Sequence, residues 1–384
     1  MEQTASKVAL LGIGTSVPAY RIEQIEAAQR LTDALKDHPD SMRWAKRIFK
    51  QCAVETRYTC EPELLKPAAQ CRYSPGTPEE DVPTTAERMA VYKRESVPLG
   101  IAAARQAISD AGVSPSHITH VITVSCTGQF LPGLDSLLVG ALGLSLGVLR
   151  IPLNFLGCAA GLKAIGLSRR IAASSPRAAV LVVCVELCTL HLQSSVRRED
   201  LYAASFFGDG AAACVIGHSG GEGSEGEFEL GEDRSALVSD YAGEMVWEVG
   251  DRGFDLYLSP GIPRIIGEWM PRNIQDWLQG EESPRLWAIH PGGKGIVDAL
   301  QNSLGLTEEQ TAASRAVLRD YGNLSSATIL FVLQELRQRL REQEAEAADG
   351  IAIAFGPGLT AEMIRIRYTP ALSARKRPLN NAYA

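Results

Sequence analysis

Two stretches of the chain repeat the same order of elements at nearly the same spacing, and this repeat restricts the possible folds. In the first stretch a predicted strand ends at Cys126, and Cys158 opens a helix 32 residues later. In the second, a predicted strand ends at His290, and Asn323 opens a helix 33 residues later. Matched spacing indicates a duplicated α/β unit. The alternative is two unrelated β-α-β units, because such units have a narrow range of lengths.

Hydrophobic periodicity places the elements of both units. The first consists of a strand over His120–Ser125, a helix over residues 159–173 and a strand over residues 179–185; the second consists of a strand over Leu286–Ile289, a helix over residues 326–341 and a strand over residues 351–355. We therefore divide the chain into an N-terminal half, residues 1–219, and a C-terminal half, residues 220–384. If the halves pack about a pseudo-twofold axis, the helix that starts at Cys158, the helix that starts at Asn323 and the strand that ends at His290 converge on one point. Residues 220–234, rich in glycine and acidic side chains, predict a loop, and residues 375–384 a frayed tail.

The composition fits a globular chain and argues against several classes of protein. At 384 residues and 45% hydrophobic content a large core is possible, and a formal net charge of -7 argues against a broad nucleic-acid surface. The eight cysteines form no C-x-x-C pair and no zinc-ligand spacing. The first residues lack the basic region of an export signal, and the apolar stretch 178–192 is too short to span a membrane. We therefore expect a cytoplasmic protein with free thiols and no metal.

Cys158 is the candidate nucleophile. It stands in the turn Asn-Phe-Leu-Gly-Cys-Ala-Ala-Gly (154–161), which leads into an apolar helix. The N-terminus of a helix favours a thiolate, a nearby imidazolium would lower the pKa of the thiol further, and the flanking glycines let a substrate approach the sulfur. The alternative role is a buried structural cysteine, and the glycine setting favours the nucleophile.

His290 and Asn323 are candidates to act with Cys158. Pro291 stops the strand after His290, and the glycines that follow leave its imidazole uncrowded. Asn323 has the alternative role of a helix N-cap. A neutral amide beside a histidine N–H could also stabilise the enolate and oxyanion of a decarboxylative condensation. Such chemistry needs no metal and no redox cofactor.

Five short segments occur in an order that resembles the type III polyketide synthases, the chalcone synthase-like family. They are the Cys158 turn, Phe-Phe-Gly-Asp-Gly-Ala-Ala (206–212), the His290 strand end, Tyr-Gly-Asn-Leu-Ser-Ser (321–326) and Phe-Gly-Pro-Gly-Leu-Thr-Ala-Glu (355–362). The resemblance extends over nearly the whole chain. It implies a homodimeric thiolase fold with a duplicated α-β-α-β-α layered core.

The resemblance also implies roles for individual residues. Cys158 would carry the starter and the growing chain, while His290 and Asn323 would bind the malonyl thioester carbonyl and favour loss of carbon dioxide. Phe207 would be an aromatic gate between a CoA tunnel and the cavity. Leu256 stands where plant relatives have a second gate phenylalanine. The segment Gly356, Pro357 and Gly358 would form a loop of the cavity wall.

CoA contacts and a dimer contact follow from the same resemblance. Arg47 and Lys50 match the position of the basic residues that bind the CoA phosphates, and a solvated charged helix face is the alternative. Val54 replaces a third basic residue of plant members, and Lys294, followed by Gly295, could substitute for it. Leu131 matches the position that reaches across the dimer interface.

The cavity departs from that of chalcone synthases. Trp247 stands where plant enzymes keep a glycine, and its segment is similar to bacterial and fungal members that make alkylpyrones and alkylresorcinols from fatty acyl-CoA. Other predicted wall residues are Cys126 and Thr127 in place of a Thr-Ser pair, Cys188 and His191 in place of two threonines, and Ser325. A large indole at this wall would block a coumaroyl pocket.

The sequence therefore predicts an acyltransferase that extends an acyl-CoA starter with malonyl-CoA by decarboxylative Claisen condensation. We expect a fatty acyl starter, two or three malonyl units and an alkylpyrone or alkylresorcinol product. The alternatives are a single condensation of the ketoacyl-ACP synthase III kind and a type III synthase that uses malonyl or aromatic starters. A non-catalytic thiolase-fold binding protein is a further class, and it should lack at least one of the three catalytic residue types.

Overall fold

The computed structural model describes residues 7–219 and 226–370. The strands within these residues are β1 Val8–Ser16, β2 Tyr20–Glu23, β3 Thr56–Thr59, β4 His120–Ser125, β5 Leu149–Asn154, β6 Val180–Leu187, β7 Asp209–His218, β8 Glu227–Leu237, β9 Met245–Gly250, β10 Gly253–Leu258, β11 Leu286–Ile289, β12 Ala348–Gly356 and β13 Thr360–Thr369. The helices are α1 Gln24–Ala34, α2 Pro39–Gln51, α3 Thr85–Asp110, α4 Leu134–Leu142, α5 Ala160–Ser174, α6 Arg198–Phe206, α7 Ile262–Leu278, α8 Lys294–Leu304, α9 Glu308–Tyr321 and α10 Thr328–Glu342.

The main sheet contains the predicted duplication. Its strand order is β11-β12-β13-β8-β1-β7-β6-β4-β5. From β1 outward the order β1, β7, β6, β4 has two antiparallel pairs followed by a parallel pair, and from β8 outward β8, β13, β12, β11 repeats that pattern. The two sets meet at the antiparallel pair β1/β8. β5 extends the first set and has no counterpart in the second.

Two central helices lie between the two sets of strands. α5 and α10 share one core with β4, β6 and β7 on one side and with β12 and β13 on the other. α3 and α4 cover the outer face of the first set, while α7 and α8 cover the outer face of the second. β6 is buried at every position, which explains why all of its residues except Glu186 are apolar. The architecture is therefore the predicted α-β-α-β-α thiolase-like fold.

Observed elements follow most of the predicted ones. β4 and β11 have the predicted bounds, and α5 and β6 lie within two residues of theirs. The loop prediction over residues 220–234 is wrong for its second part, because β8 begins at Glu227 and buries Phe228 against Tyr368. Residues 220–225 and the predicted tail, residues 375–384, lie outside the described residues. Within the described parts of the chain, helices of the length and hydropathy that a membrane span requires are absent.

Candidate active site

Cys158 lies in the middle of a short 3-10 turn, Gly157–Ala159, which leads directly into α5. The turn requires glycine at position 157, because φ there is +68° and an added Cβ would lie 2.1 Å from Cδ of Pro357. Pro357 follows Gly356 at the end of β12 and precedes Gly358, so it belongs to the predicted wall loop. The turn that carries Cys158 and this loop therefore pack directly against each other.

Asn323 is fixed by its backbone and by both ends of its carboxamide. Its backbone N–H donates to Phe206 O at 2.8 Å, and its carbonyl accepts from Gly208 N at 3.0 Å. In the side chain, Oδ1 accepts from Ser325 N at 2.8 Å and Nδ2 donates to Gly292 O at 3.2 Å. Oδ1 thus binds the start of the turn Ser325–Ala327 before α10, but the N-cap alternative is wrong, because Leu324 is the N-cap of that turn and Ala327 is the N-cap of α10. Nδ2 also lies within hydrogen-bonding reach of the Cys158 thiol, in the cavity that both residues line.

His290 directly follows β11, and its backbone N–H donates to Ile353 O at 2.8 Å. Its side chain is buried, and neither ring nitrogen has a hydrogen-bond partner among the described residues. Burial lowers the pKa of His290 to about 3. The ring is therefore neutral at neutral pH and has one N–H and one lone pair without partners. Gly292, whose carbonyl accepts from Asn323, lies beside the same ring, since a Cβ added there would be 3.6 Å from His290 Nε2.

The thiol of Cys158 does not have the lowered pKa that its sequence context predicted. Burial raises the pKa of Cys158 to about 11, while hydrogen bonds with Ser325 and Asn323 oppose part of this rise. The prediction of a favoured thiolate is wrong because the apolar surroundings outweigh the turn, and because His290 is neutral. In this structure the thiol must lose its proton as it attacks.

A buried carboxyl group behind Cys158 was not predicted. Glu186 lies on β6, and its Oε2 accepts from Thr127 Oγ1 at 2.6 Å and from Cys126 N at 3.1 Å. Burial raises the pKa of Glu186, and hydrogen bonds from Ser326 and Thr127 oppose the rise. Cys126 Sγ in turn lies 3.0 Å from Ser325 Oγ. The one signal in the sequence was an acidic residue near the end of an otherwise apolar strand.

Most of the predicted wall residues line the same cavity as the catalytic candidates. Trp247 and Leu256 face each other across the β9/β10 hairpin, and Trp247 Nε1 donates to Cys126 O at 2.8 Å. The predicted residues that line the cavity are Cys126, Thr127, Cys188, Phe207, Trp247, Leu256, Ser325 and Pro357, and apolar residues that were not predicted include Met245, Leu258, Ile262, Ile296 and Phe355. The cavity is thus predominantly apolar around a small polar centre.

His191 lies one layer behind this wall. Its Nε2 donates to Thr127 O at 2.6 Å, and its Nδ1 accepts from Phe254 N at 3.0 Å. The ring stacks on Phe254 with centroids 4.0 Å apart and contacts the indole of Trp247 edge-on at 5.7 Å. Burial lowers the pKa of His191 to about 3, so the ring is neutral. His191 supports the wall and is not among the residues that line the cavity.

The predicted gate and part of the predicted CoA site lie side by side. Phe207 directly follows α6 and lines the cavity, as does Tyr202. Tyr202 also lines a neighbouring surface groove together with Lys50, Lys294 and Gly295. Arg47 is exposed on α2 and does not line that groove. Lys294 pairs with Asp298, which also pairs with Arg315 at 2.7 Å.

Several apolar side chains near the edge strand β5 are exposed. Leu131 is 91% exposed, in a segment that leads into α4. Leu137, Leu146, Leu149, Phe155 and Leu156 are also exposed large hydrophobic residues. Exposed apolar residues that cluster around an edge strand are typical of a protein interface.

Comparison with known proteins identifies matching families. Residues 1–220 match the sequence model of the N-terminal domain of chalcone and stilbene synthases, and residues 234–370 match the model of the C-terminal domain. Type III polyketide synthase 21 of Oryza sativa subsp. japonica is 32% identical over 94% of this chain and 94% of its own length. The alpha-pyrone synthesis polyketide synthase-like Pks18 of Mycobacterium tuberculosis is 30% identical over 91% of this chain and 88% of its own length. Probable polyketide synthase 1 of Dictyostelium discoideum is 30% identical over 92% of this chain, which spans only 11% of that protein.

A solved structure supports the same relationship. The structure of PKS-I from the brown alga Ectocarpus siliculosus superposes with a TM-score of 0.86 at 28% identity, and the match covers 96% of this chain and 100% of that one. The likeness thus includes both sets of strands and the two central helices between them.

Proposed function

This chain belongs to the chalcone and stilbene synthase family of type III polyketide synthases, and we propose that it extends a fatty acyl-CoA starter with malonyl-CoA to form an alkylpyrone or alkylresorcinol. Family membership makes it an acyltransferase of the condensing type. The convergence of Cys158, His290 and Asn323 on one apolar cavity carries the proposal. The name of the mycobacterial relative, which refers to alpha-pyrone synthesis, favours the pyrone product.

Loading of the starter is the first step. The sulfur of Cys158 attacks the thioester carbonyl of the acyl-CoA, a new C–S bond forms, and the CoA thiolate leaves. His290 accepts the thiol proton on its free lone pair and returns it to the departing CoA sulfur. Because burial raises the pKa of Cys158 and lowers that of His290, proton transfer accompanies the attack. Phe207 keeps water from the acyl-enzyme.

Decarboxylation and condensation follow. The malonyl thioester oxygen accepts hydrogen bonds from a His290 N–H and from the N–H of Asn323 Nδ2 that faces Cys158. When the bond to the carboxylate carbon breaks, its electron pair forms an enolate whose oxygen these two neutral donors stabilise. The enolate carbon then attacks the acyl carbonyl on Cys158, a C–C bond forms, and the Cys158 sulfur leaves. The extended chain, now on CoA, returns to Cys158 for the next cycle. These steps use no metal and no cofactor.

Substrate binding and assembly complete the proposal. Lys50 and Lys294 at the surface groove, with Arg47 beside them, bind the CoA phosphates, and the apolar cavity wall receives an aliphatic chain. Two copies of the chain associate through the exposed apolar residues near β5, with Leu131 at the interface. Both CoA substrates belong to the cytoplasm, where we place the enzyme.

Incubation of the purified protein with labelled malonyl-CoA and a panel of acetyl, fatty and aromatic CoA thioesters tests this function, with products identified by mass. We expect pyrones or resorcinols from fatty starters after two or three extensions. A single extension delivered to an acyl carrier protein would overturn the proposal in favour of a ketoacyl-ACP synthase. Exclusive use of malonyl or aromatic starters would contradict the proposal that the starter is a fatty acyl-CoA.

A further inference from the structure

Arg57 is a buried cation next to the gate of the cavity. It lies on β3 and is 3% exposed, and its Nη1 donates to the backbone carbonyl of Phe207 at 2.9 Å. It makes no salt bridge with the described residues, and its Nε has no hydrogen-bond partner among them. Burial lowers the pKa of Arg57 to about 10. The buried carboxyl group of Asp209 acts on Arg57 electrostatically without forming an ion pair with it. A buried guanidinium that is compensated only in part is unfavourable for stability, so its position calls for another explanation.

The carbonyl that Arg57 holds is joined to the catalytic carboxamide segment. Phe207 and Asn323 form an isolated parallel β-bridge, in which Asn323 N donates to Phe206 O at 2.8 Å and Gly208 N donates to Asn323 O at 3.0 Å. A displacement of the Phe207 carbonyl therefore moves the backbone of Asn323 as well. The gate and the carboxamide form one unit, and Arg57 is bonded to it from outside the cavity.

The chain on either side of Arg57 holds other parts of the site. Glu55 N donates to Arg319 O at 2.8 Å, and Thr56 Oγ1 donates to Asp320 O at 2.7 Å, which fixes the end of α9 just before Asn323. The Arg57 guanidinium also lies 5.9 Å from the ring centroid of Phe49 on α2. α2 carries the proposed CoA contacts Arg47 and Lys50. Arg57 thus lies between the helix expected to bind CoA and the paired gate and carboxamide.

We propose that Arg57 is a positioning residue that holds Phe207 and Asn323 in register, so that malonyl decarboxylation stays coupled to condensation. Decarboxylation needs only the thioester oxygen at its two donors. Condensation also needs the enolate aligned with the acyl group on Cys158 while water is excluded. A small displacement of the gate and carboxamide therefore impairs condensation more than decarboxylation. This inference rests on the proposed function.

The test measures two products from the same reaction with labelled malonyl-CoA and a fatty acyl-CoA: carbon dioxide released and carbon–carbon bonds formed. Their ratio does not depend on the folded fraction, so a merely structural role would leave it unchanged. In the Arg57→Met variant we expect the ratio of carbon dioxide released to carbon–carbon bonds formed to rise roughly tenfold, because misalignment on the ångström scale has effects of this order or larger. Loading of Cys158 by the starter should remain complete by intact mass.

Two further variants keep the test decisive. Arg57→Lys keeps the charge but loses the planar fork, so we expect a ratio above that of wild type and below that of Arg57→Met. If Arg57→Met fails to fold, a ratio above wild type in Arg57→Lys is the expected result. Arg30→Met is the matched control, since Arg30 and Arg57 line one cleft that is separate from the cavity of Cys158, and Arg30 pairs with Glu26. An unchanged ratio in both Arg57 variants, or an equal rise in Arg30→Met, would overturn the inference. Wild-type protein that forms neither product would contradict the proposed function instead.

Discussion

Trp247 donates a hydrogen bond of 2.8 Å from its indole Nε1 to the backbone carbonyl of Cys126, which joins the β9/β10 hairpin to the end of β4. The same indole contacts Phe254 and His191 edge-on, so three contacts define its orientation. The wall of the cavity is therefore a fixed aromatic surface at this point. A fixed wall limits the volume available to the starter and to the growing chain.

Replacement of this wall should change substrate choice. We expect Trp247→Gly to raise the relative kcat/KM for bulky aromatic starters by about tenfold or more, because a pocket of this kind discriminates through its volume. Trp247→Phe keeps a ring without the N–H and serves as the control, with a profile near wild type. Competition assays over a panel of CoA thioesters measure the effect. An unchanged starter profile in Trp247→Gly would show that the indole does not limit the cavity.

His191, which lies behind the cavity wall, should stabilise the protein through its two hydrogen bonds. His191→Leu leaves Thr127 O and Phe254 N without partners, and each buried unpaired group costs about 1–3 kcal/mol of the free energy of unfolding. His191→Gln keeps one donor and one acceptor, so its loss should be smaller. Urea unfolding of both variants provides the comparison. Equal losses in the two variants would indicate that the stacking on Phe254 dominates.

The buried neutral state of His290 predicts how stability depends on pH. Its pKa is lowered to about 3 in the folded protein, so below the ordinary histidine pKa the unfolded chain binds a proton that the folded chain does not. Stability is therefore lost as pH falls through about 6.5, and this group contributes a loss of about 2 kcal/mol between pH 6.5 and 4.5.

Burial raises the pKa of Asp209 to about 6, so this group changes stability with pH in the opposite direction. Because its contribution is the same in wild type and in His290→Asn, the difference between the two proteins isolates the effect of His290. Below pH 6.5 the free energy of unfolding should fall less steeply in His290→Asn than in wild type. Parallel curves for the two proteins would mean that His290 is accessible to water or charged in the folded state.

The turn that carries Cys158 should not tolerate a side chain at position 157. In Gly157→Ala the new Cβ would meet Pro357 at 2.1 Å in a left-handed backbone conformation, so we expect a loss of at least about 2 kcal/mol of stability and of most of the activity. Gly243→Ala is the matched control, because an added Cβ there meets no atom within 4 Å. Thermal unfolding and product formation are the measurements. A Gly157→Ala enzyme as stable and active as Gly243→Ala would refute the close contact with Pro357.

The elements that the sequence predicted well are those with a local signal. The turns before Cys158 and Asn323 lead into apolar helices, and the strands that end before Cys126 and His290 are short apolar runs, so the duplicated unit could be identified without tertiary information. Arg57 could not be identified in this way. It belongs to a polar segment, and only contacts with residues far along the chain make it buried.

Protonation states also depend on distant residues. The prediction for Cys158 considered its helix and a charged histidine, whereas burial by other elements raises its pKa and keeps His290 neutral. His191 was predicted at the cavity wall, but its bonds to Thr127 and Phe254 place it behind Trp247. A strand or turn signal gives the position of a residue along an element but not the layer that covers its side chain.

The nucleophile is the central claim, and Cys126, Cys158 and Cys188 all line the cavity. The most direct measurement is to incubate the protein with a fatty acyl-CoA in the absence of malonyl-CoA and to locate the acyl group by peptide mass analysis. We predict one acyl group per chain, on Cys158, and none in Cys158→Ala. An acyl group on Cys126 or Cys188 in the wild type, or condensation by Cys158→Ala at a rate near wild type, would contradict the account.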